Sequence, residues 1–336
     1  MMSASFLPEC SSIRAVWSTE RQVEELRRRS KGAMSKEAVV AFVPDPSDII
    51  IASPPKCGTT WLVHICHQIR KRGASPDFVE QIPDVATWIE YSKKLFNIDP
   101  NTAVQSAVPR IFFTHLPYTN VPKGGKLIYC FRDQTDALYS FYVFINTMAA
   151  LNDRVSLPIF ADYFQKLQWT RKHFQDLLVW WEHRHDPDVL LLFYEDLREN
   201  HAGSARRIAR FMGSDCGEDV IARIVHTTTH SEMVRHHSKF DMHSIAIANA
   251  KALGDEPPRE FCGGVRKNGG KSGDGVRLLP SEVRQGIVSE WREIVTSKLG
   301  FRRLDDMREA WRVELSNAQP PCRAQSVYRA FTDTSP

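Results

Sequence analysis

Four short apolar runs, each bounded by charged or turn-forming residues, recur along the chain at 49–53, 110–114, 126–131 and 189–194. Uninterrupted apolar runs of this length are typical of strands that are buried on both faces of a sheet. In the segments between and after these runs, we predict helices at 58–72, 134–149, 160–184 and 203–212. Buried strands that alternate with helices predict an α/β fold, with a central parallel sheet and helices on both faces.

The segments outside this alternation set the domain limits that we expect. Thr19 to Gln22 have the spacing of a capping box, and the residues after them predict a short amphipathic helix. Residues 241–280 are irregular and rich in glycine, and the end of the chain has no clear pattern, which is compatible with a mobile tail. We therefore expect an N-terminal helical extension, a single domain and a C-terminal tail, at 1–37, 38–302 and 303–336.

The composition is that of an ordinary globular protein, with 42% hydrophobic and 25% charged residues. The formal net charge of +4 favours a locally basic site over a surface that binds nucleic acid. Seven cysteines, none of them in a Cys-x-x-Cys pair, support neither a disulfide framework nor a zinc site. No apolar stretch approaches the about 20 residues of a membrane helix, and the pattern of a signal peptide is absent. We expect a cytoplasmic protein that uses no metal and does not bind a membrane.

The segment SPPKCGTTW, at 53–61, joins the first predicted strand to the first predicted long helix. The N-terminus of a helix has unpaired backbone N–H groups and a partial positive charge, which together attract anions. Lys56 adds a cation, and Gly58 lets the backbone approach a ligand closely. The segment therefore predicts a site for a phosphate-type anion, built from Lys56, Cys57, Gly58, Thr59 and Thr60.

This loop differs from the Walker A loop of nucleotide-dependent kinases and hydrolases. In a Walker A loop the Lys follows the second Gly, whereas Lys56 precedes Gly58 by two positions. Taken alone, the segment also fits a capped turn that binds no ligand. Cys57 lies where a thiolate would be stabilised, but no histidine base is adjacent in the sequence, so we interpret it as a small packing residue.

Read with its neighbours, SPPKCGTTW closely resembles the 5′-phosphosulfate loop of the cytosolic sulfotransferase family, usually Ser/Thr-Tyr-Pro-Lys-Ser/Cys-Gly-Thr-Thr-Trp. The resemblance spans residues 38–301 and implies a P-loop-like α/β domain. It also implies that a sulfonate is moved from 3′-phosphoadenosine 5′-phosphosulfate (PAPS) to a hydroxyl or amine, without a metal. Four more blocks follow in the order of the family: RIFFTHLP at 110–117, IYCFRDQTDALYSFY at 128–142, LLFYEDLREN at 191–200 and RKNGGKSGDG at 266–275.

The resemblance implies which residues hold the donor nucleotide. Lys56 would stabilise the leaving bridging oxygen, and Arg132 and Ser140, eight positions apart, would bind the 3′-phosphate. Arg266 and Lys267 would close over the same phosphate. In the family, four positions surround the adenine, and in this chain they are Trp61, Tyr194, Thr228 and His230. His230 stands where the family usually has Phe.

His115, in the block RIFFTHLP, is the candidate general base. It follows the end of a predicted strand, where open α/β sheets bind ligands, and a neutral imidazole can take the proton of an attacking hydroxyl. Family members usually carry a Lys two positions earlier, where this chain has Phe113. The charge of the transferring sulfonate would then rest on Lys56 and the loop amides, or on a basic residue from elsewhere, and lower turnover or a changed acceptor geometry would follow.

A second departure from the family falls in the last block. Asn268 replaces a Gly, two additional residues precede the Gly-Asp pair, and Gly275 stands where Trp is usual. The late dimer motif of the family is not recognisable after Gly275, so the sequence leaves homodimerisation open.

The segments that form the acceptor pocket in the family are rich in aromatic residues in this chain. An aromatic wall suits a small aromatic or apolar acceptor. Each of these residues, taken singly, also fits a position in the core, and the sequence does not name the acceptor. The candidates are Phe78, Trp88, Tyr91, Phe96, Tyr142, Phe144, Met148 and Phe240.

Two other functions stay open at this point. A P-loop-type nucleotide kinase or hydrolase would need a Walker Lys and a Mg²⁺ site, and EDTA would abolish its activity. A non-catalytic binder of adenosine 3′,5′-bisphosphate would bind nucleotide without transferring a sulfonate, which Phe113 and the altered block at 266–275 make conceivable. Our prediction is a PAPS-dependent sulfotransferase whose partner is a small-molecule acceptor.

Overall fold

A computed structural model of the chain describes residues 17–30, 39, 41–74, 82–148, 155–240, 243–256, 265 and 272–318. In this part of the chain, five strands form one parallel sheet: β1 Ile49–Ala52, β2 Thr87–Trp88, β3 Ile111–Thr114, β4 Lys126–Phe131 and β5 Val189–Phe193. Their order across the sheet is β2-β3-β1-β4-β5. The predicted α/β fold with a central parallel sheet is therefore confirmed. The additional strand, β2, is two residues long, which is too short to give a periodic pattern.

The central strand, β1, shows why the sequence of each long strand is apolar throughout. Its side chains alternate between two hydrophobic cores, with Ile50 and Ala52 in one and Ile49 and Ile51 in the other. All four are fully buried. Because helices cover both faces of the sheet, neither face of β1 has a polar position.

The α-helices with both ends in the described residues are α1 Thr19–Ser30, α2 Thr59–Arg70, α3 Ile82–Val85, α4 Ile89–Phe96, α5 Gln134–Met148, α6 Leu157–Lys166, α7 Trp169–Glu182, α8 Tyr194–Glu199, α9 His201–Met212, α10 Glu218–Thr227, α11 His230–Arg235, α12 His243–Leu253, α13 Asp274–Leu278, α14 Ser281–Trp291, α15 Ser297–Leu299 and α16 Leu304–Ala318. Two short 3-10 helices are Tyr118–Asn120 and His237–Phe240. A π-helical turn, Arg292–Thr296, joins α14 to α15. None of these helices is both long enough and apolar enough to cross a membrane.

Two expectations about helices are wrong. The single helix expected at 160–184 is two helices, α6 and α7, because Gln168 between them has a left-handed backbone with φ 56°. The segment expected to be irregular at 241–280 contains α12. Its sequence, HSIAIANAKAL, is rich in alanine, which has the highest helix propensity. The expectation of an irregular segment rested on the glycines that follow this helix.

The C-terminal part of the domain also differs from expectation. Residues 304–318, which were expected to belong to a tail without a clear pattern, form α16, and its Met307 and Trp311 are buried in the core. The indole N–H of Trp311 donates to the carbonyl oxygen of Leu191 in β5 at 3.2 Å. Arg308 Nη2 lies 2.7 Å from the Asp196 carboxylate, just after β5. The helix therefore packs along the edge strand of the sheet.

The N-terminal helix is attached to the same domain. In α1, Leu26 is buried, and the side-chain oxygen of Gln22 accepts a hydrogen bond of 2.8 Å from the backbone N–H of Ser156. Ser156 is the residue before α6. The helix predicted from the capping-box spacing is confirmed as α1.

Candidate active site

The blocks singled out in the sequence meet at one edge of the sheet. The strands β3, β1, β4 and β5 are neighbours, and the carboxyl ends of parallel strands lie on the same side, where open α/β sheets bind ligands. The residues that directly follow β1, β3, β4 and β5 are Ser53, His115, Arg132 and Tyr194.

The loop between β1 and α2 contains two residues with a left-handed backbone. Lys56 has φ 68° and Gly58 has φ 101°, and the N–H of Cys57 donates to the carbonyl oxygen of Pro54 at 3.2 Å. A side chain in place of Gly58 would bring its Cβ to 2.8 Å from the Tyr194 ring. Glycine fits both the backbone angle and this close approach, so the loop lies directly against the end of β5.

Two residues of this loop are buried and bound to their neighbours. Thr59 Oγ1 lies 2.6 Å from Ser53 Oγ, which ties the first turn of α2 to the end of β1. Burial raises the pKa of Cys57 to about 12, so its thiol stays protonated at neutral pH. Gln134 Nε2 lies 3.7 Å from the Cys57 sulfur. Cys57 therefore packs inside the loop, whereas the next hydroxyl, that of Thr60, belongs to a half-buried residue.

The guanidinium of Arg132 is packed against the loop, and only 8% of the residue is exposed. Nη1 donates to the backbone carbonyl oxygen of Lys56 at 3.2 Å, and Cζ lies 4.5 Å from the centroid of the Tyr194 ring. Nε is buried and has no hydrogen-bond partner among the described residues. A buried donor without a partner is costly, and arginine is well suited to donate to phosphate. The surroundings of Arg132 therefore fit an anion such as a phosphate.

A buried carboxylate, that of Asp136, joins Arg132 to the segment before α13. Arg132 Nη2 lies 3.6 Å from Asp136 Oδ2. The backbone N–H groups of Gly273 and Gly275 donate to Asp136 at 2.9 Å each. The chain thus returns to Arg132 at the end of the block that begins with Arg266 and Lys267, two residues that lie outside the described part.

Gly275 stands where the family usually has Trp, and its packing explains the difference. A Cβ at this position would lie 2.2 Å from the backbone oxygen of Thr135, at the start of α5. Any side chain would therefore push α13 away from α5. The departure in sequence corresponds to a direct contact between the backbones of these two helices.

Both the backbone and the ring of His115 are held by hydrogen bonds. Its backbone N–H donates to Glu90 Oε1 at 2.7 Å, and its Nδ1 lies 2.8 Å from the carbonyl oxygen of Ser53. A carbonyl oxygen can only accept, so Nδ1 carries the proton and Nε2 has the free lone pair. Burial lowers the pKa of His115 to about 4, and the charge of Lys56 acts in the same direction. The ring is therefore neutral at physiological pH and can accept a proton at Nε2.

Glu90, in α4, is a buried carboxyl group beside this histidine, with 1% of the residue exposed. Burial raises the pKa of Glu90 to about 7. One oxygen accepts from the backbone of His115, and the other is buried without a hydrogen-bond partner among the described residues. Sequence reasoning missed Glu90, because the contact joins residues 25 positions apart and no motif links them.

Phe113 has aromatic neighbours at the position where the family usually has Lys. It is buried in β3, and the centroid of its ring lies 5.2 Å from that of Trp88. Trp88 also contacts Tyr91 and His115, at 4.4 and 5.3 Å between ring centroids. The ring that contacts the candidate base is therefore that of Trp88, which in turn packs against Phe113 and Tyr91.

Lys56 also has an aromatic neighbour. Its Nζ lies 3.9 Å from the centroid of the Phe144 ring, within the range of a cation–π contact. Phe144 and Ser140 are both in α5 and four residues apart, so they lie on the same side of the helix. Ser140 is half-buried there.

The other acceptor candidates divide into several groups. Phe240 is fully buried and its ring packs 4.7 Å from that of His64, so it belongs to the core. Tyr142 packs against Phe160, with ring centroids 5.4 Å apart. Phe96, the last residue of α4, is half-buried. Phe78 and the side chain of Met148 lie outside the described residues.

Three of the four residues expected around an adenine, Trp61, Tyr194 and Thr228, form a second cluster beside the loop. Trp61 Nε1 donates to the backbone oxygen of Thr228 at 2.8 Å, and the rings of Trp61 and Tyr194 meet edge to face, with centroids 5.8 Å apart. Thr228 is fully buried. His230 is exposed at the start of α11. A residue that sequence reasoning missed, His201, also belongs here, since its ring lies 5.1 Å from Trp61.

The comparison with protein families shows to which family the chain belongs. A family model described as a sulfotransferase domain matches residues 46–247, which include the loop, His115, Arg132, Tyr194 and Thr228. The chain belongs to the sulfotransferase family. Human sulfotransferase 1E1 is 33% identical over 272 residues, which cover 78% of this chain and 82% of that protein. The chain is therefore a sulfotransferase enzyme.

Solved structures of similar shape agree with this fold. Mouse sulfotransferase SULT7A1 complexed with PAP has a TM-score of 0.54 and 21% identity, and the match covers 85% of this sulfotransferase and 95% of that chain. Retinol dehydratase in complex with androsterone and inactive cofactor PAP has a TM-score of 0.59 and 18% identity, with 80% and 87% of the two chains covered. At these identities the similarity shows the fold alone, and it is the P-loop-like fold that the family resemblance implied.

Proposed function

We propose that this sulfotransferase takes its sulfonate from PAPS and transfers it to a hydroxyl or amine of a small aromatic or apolar acceptor, with His115 as the general base. The observation that carries the proposal is the hydrogen bond of 3.2 Å from Arg132 to the backbone of Lys56. It ties the guanidinium at the end of β4 to the backbone of the cationic residue in the loop after β1, the neighbouring strand. A nucleotide with one anionic group at its 5′ end and another at its 3′ position presents two charges for such a pair.

The unpaired donor of Arg132 supports the 3′-phosphate assignment. Its Nε is buried without a partner in the described part of the chain, and a phosphate oxygen can accept from it. The Tyr194 ring beneath the guanidinium and the backbone oxygen of Lys56 hold its orientation. Ser140, Arg266 and Lys267 are proposed at the same phosphate on the family resemblance.

His115 is proposed to remove the proton of the attacking group. The Ser53 carbonyl fixes the tautomer in which Nε2 is the acceptor, and burial keeps the ring neutral, as the pKa of about 4 indicates. A neutral base at the end of β3 can therefore act throughout the physiological range. When bound, PAPS supplies an activated sulfonate whose leaving group is a phosphate.

Lys56 and the amides of the loop are proposed to balance the charge that develops on the leaving oxygen. Phe113 occupies the position of the usual second cation, and the ring that packs against it, that of Trp88, is uncharged. The loop therefore carries more of the stabilisation than in family members that have Lys there, and Thr59, Thr60 and Gly58 are proposed to contribute to it.

The acceptor is proposed to be small and aromatic or apolar, because the Trp88 ring contacts His115 and packs against the rings of Phe113 and Tyr91. An aromatic wall of this kind binds flat apolar molecules through their area and ring faces. The adenine is proposed to lie by Trp61, Tyr194, Thr228 and His230.

The direct test is incubation of the purified protein with labelled PAPS and a panel of phenols, alcohols and amines, followed by mass detection of sulfated products. Turnover is expected with aromatic or apolar acceptors, and it is expected to persist in EDTA. The variant His115→Ala should form little product, and His226→Ala, at an exposed histidine, should match wild type. The proposal fails if folded protein forms no sulfated product with any acceptor and calorimetry detects no binding of adenosine 3′,5′-bisphosphate.

A further inference from the structure

His201 lies at the start of α9, directly after the residue that caps this helix. The side chain of Asn200 accepts a hydrogen bond from the backbone N–H of Gly203 at 2.9 Å, which fixes the first turn. The imidazole of His201 is half-buried, and its ring meets the Trp61 ring at 63°, with centroids 5.1 Å apart. His201 therefore belongs to the cluster in which the adenine is proposed to bind.

One side of the His201 ring is bound to a buried hydroxyl group. Thr228 Oγ1 donates its proton to the backbone oxygen of Ile224 at 2.7 Å. The same oxygen lies 2.9 Å from His201 Nε2. Because the hydroxyl has no second proton, it must accept from His201, and Nε2 carries the N–H.

The opposite nitrogen of the ring follows from this tautomer. Burial lowers the pKa of His201, so the ring is neutral at neutral pH, and a neutral imidazole with a proton on Nε2 has an acceptor at Nδ1. The described residues supply no hydrogen-bond partner for Nδ1. The other polar groups around Trp61 are engaged, since its indole N–H and the hydroxyl of Thr228 are both used within the protein.

We infer that His201 is a base-recognition residue, and that its Nδ1 accepts a hydrogen bond from the exocyclic amino group of adenine. The inference rests on the proposed function, because it requires an adenosine nucleotide as the donor. Adenine presents an amino donor at this position of the ring, whereas hypoxanthine and guanine present an oxygen acceptor there. An acceptor at Nδ1 favours adenine and is repelled by the oxygen of the other two bases. Thr228, assigned to the adenine from the family resemblance, would then act by holding the tautomer of His201.

The test is calorimetric titration with adenosine 3′,5′-bisphosphate and inosine 3′,5′-bisphosphate, two nucleotides with the same phosphates and different bases. Wild type is expected to prefer the adenosine nucleotide by about tenfold, the size of one mismatched hydrogen bond. His201→Phe keeps a ring against Trp61 but has no acceptor, and it should reduce the preference to less than about threefold. His201→Asn, whose side-chain oxygen can take the place of Nδ1, should retain most of the preference. His226→Ala, at an exposed histidine of α10, should behave as wild type.

The outcomes separate this inference from the proposed function. If wild type binds the adenosine nucleotide but shows no preference over inosine, or if His201→Phe keeps the full preference, His201 does not read the base and the sulfotransferase proposal stands. If His201→Phe weakens both nucleotides equally, the residue only packs, which also overturns the inference. If wild type binds neither nucleotide, the proposed function itself is wrong. Circular dichroism of each variant checks that it is folded. The preference of His201→Asn for the adenosine nucleotide is a second measurement of the same hydrogen bond.

Discussion

The backbone N–H of His115 donates a hydrogen bond of 2.7 Å to the buried carboxyl group of Glu90. The ring of the same histidine is held from another direction, by the carbonyl oxygen of Ser53. The position of the candidate base therefore depends on α4 through Glu90 and on the end of β1 through Ser53. Neither contact uses Nε2, so both hold His115 without occupying the atom that is proposed to take the proton.

Glu90 should make stability depend on pH. Its pKa is about 7 in the folded protein and 4.5 is its ordinary value. The folded state therefore holds the proton more tightly, and stability falls as the pH rises from about 4.5 to 7. Glu90→Gln cannot ionise but can still accept from His115. Urea denaturation should show equal stability of the variant and wild type at pH 4.5, and a gain of about 3 kcal/mol for the variant at pH 8.

Glu182→Gln is the control for this measurement, because Glu182 is exposed at the end of α7. It should change stability little at either pH. A difference between Glu90→Gln and wild type that is the same at pH 4.5 and pH 8 would show that the pKa of Glu90 is the same in the folded and unfolded states.

His115→Ala should lower turnover without weakening the donor nucleotide. Loss of a general base costs about 10² to 10⁴ in rate, so kcat should fall by at least about 100-fold. The affinity for adenosine 3′,5′-bisphosphate should stay within about twofold of wild type, since the contacts of Arg132 and the loop are intact. Stopped assays of sulfated product and calorimetry measure the two quantities. His185→Ala, at a side chain paired with Glu314, serves as control, and a variant at position 115 with wild-type kcat would exclude the assignment.

The pH dependence of kcat/KM should report the lowered pKa of His115. The base must be neutral, so activity should be lost as the pH falls through about 4 and not near 6.5, the ordinary value of the group. The measurement is kcat/KM from pH 4 to 8 on protein shown by circular dichroism to be folded at each pH. An acid limb centred near 6.5 would mean that the base is a more exposed group.

Arg132→Ala should remove affinity for the 3′-phosphate selectively. A buried hydrogen bond between charged groups contributes about 1.5–3 kcal/mol, so the Kd of adenosine 3′,5′-bisphosphate should rise at least about tenfold. The Kd of adenosine 5′-monophosphate, which lacks the 3′-phosphate, should change by less than about threefold. Arg171→Ala, which breaks a surface ion pair with Glu293, is the matched control. Equal losses of affinity for the two nucleotides would show that Arg132 does not bind the 3′-phosphate.

Gly275→Ala should destabilise the protein because its Cβ would lie 2.2 Å from the backbone oxygen of Thr135, which cannot move aside without displacing α5. The expected loss is about 1–3 kcal/mol, as for overpacking of a close contact, and thermal unfolding measures it. Gly286→Ala is the control, since its Cβ would meet only the flexible amide of Gln165 and alanine favours a helix interior. It should cost less than Gly275→Ala. If the two variants unfold alike, α13 does not pack on α5 as described.

The fold could be predicted where burial leaves a local signal. The long strands are buried on both faces, so each appears as an apolar run, and the residues that follow them include His115, Arg132 and Tyr194. The strand β2 has only two residues, and neither it nor the helix α12 shows a clear hydrophobic pattern in the sequence. The burial of α16 depends on contacts such as that of Trp311 with Leu191, residues 120 positions apart, and no local pattern encodes such a pairing.

The same limit applies to the site. Lys56, Gly58 and Thr59 stand in one motif, so the loop could be found from the sequence. His201 meets Thr228 across 27 positions, and Asp136 meets Gly273 across 137. Each of these side chains gains its role only when the strands have brought distant segments to one edge, so tertiary structure was needed to identify them.

The pairing of Arg308 with Asp196 has a practical consequence for handling the enzyme. Asp196 lies two residues after Tyr194, on which the guanidinium of Arg132 rests. A polypeptide shortened at residue 303 would uncover the side of β5 against which Trp311 packs and leave that carboxylate without its arginine. Affinity tags, fusion partners and truncation boundaries therefore belong beyond Ala318, and a shorter product recovered after proteolysis should be checked for nucleotide binding before any loss of activity is attributed to the catalytic residues.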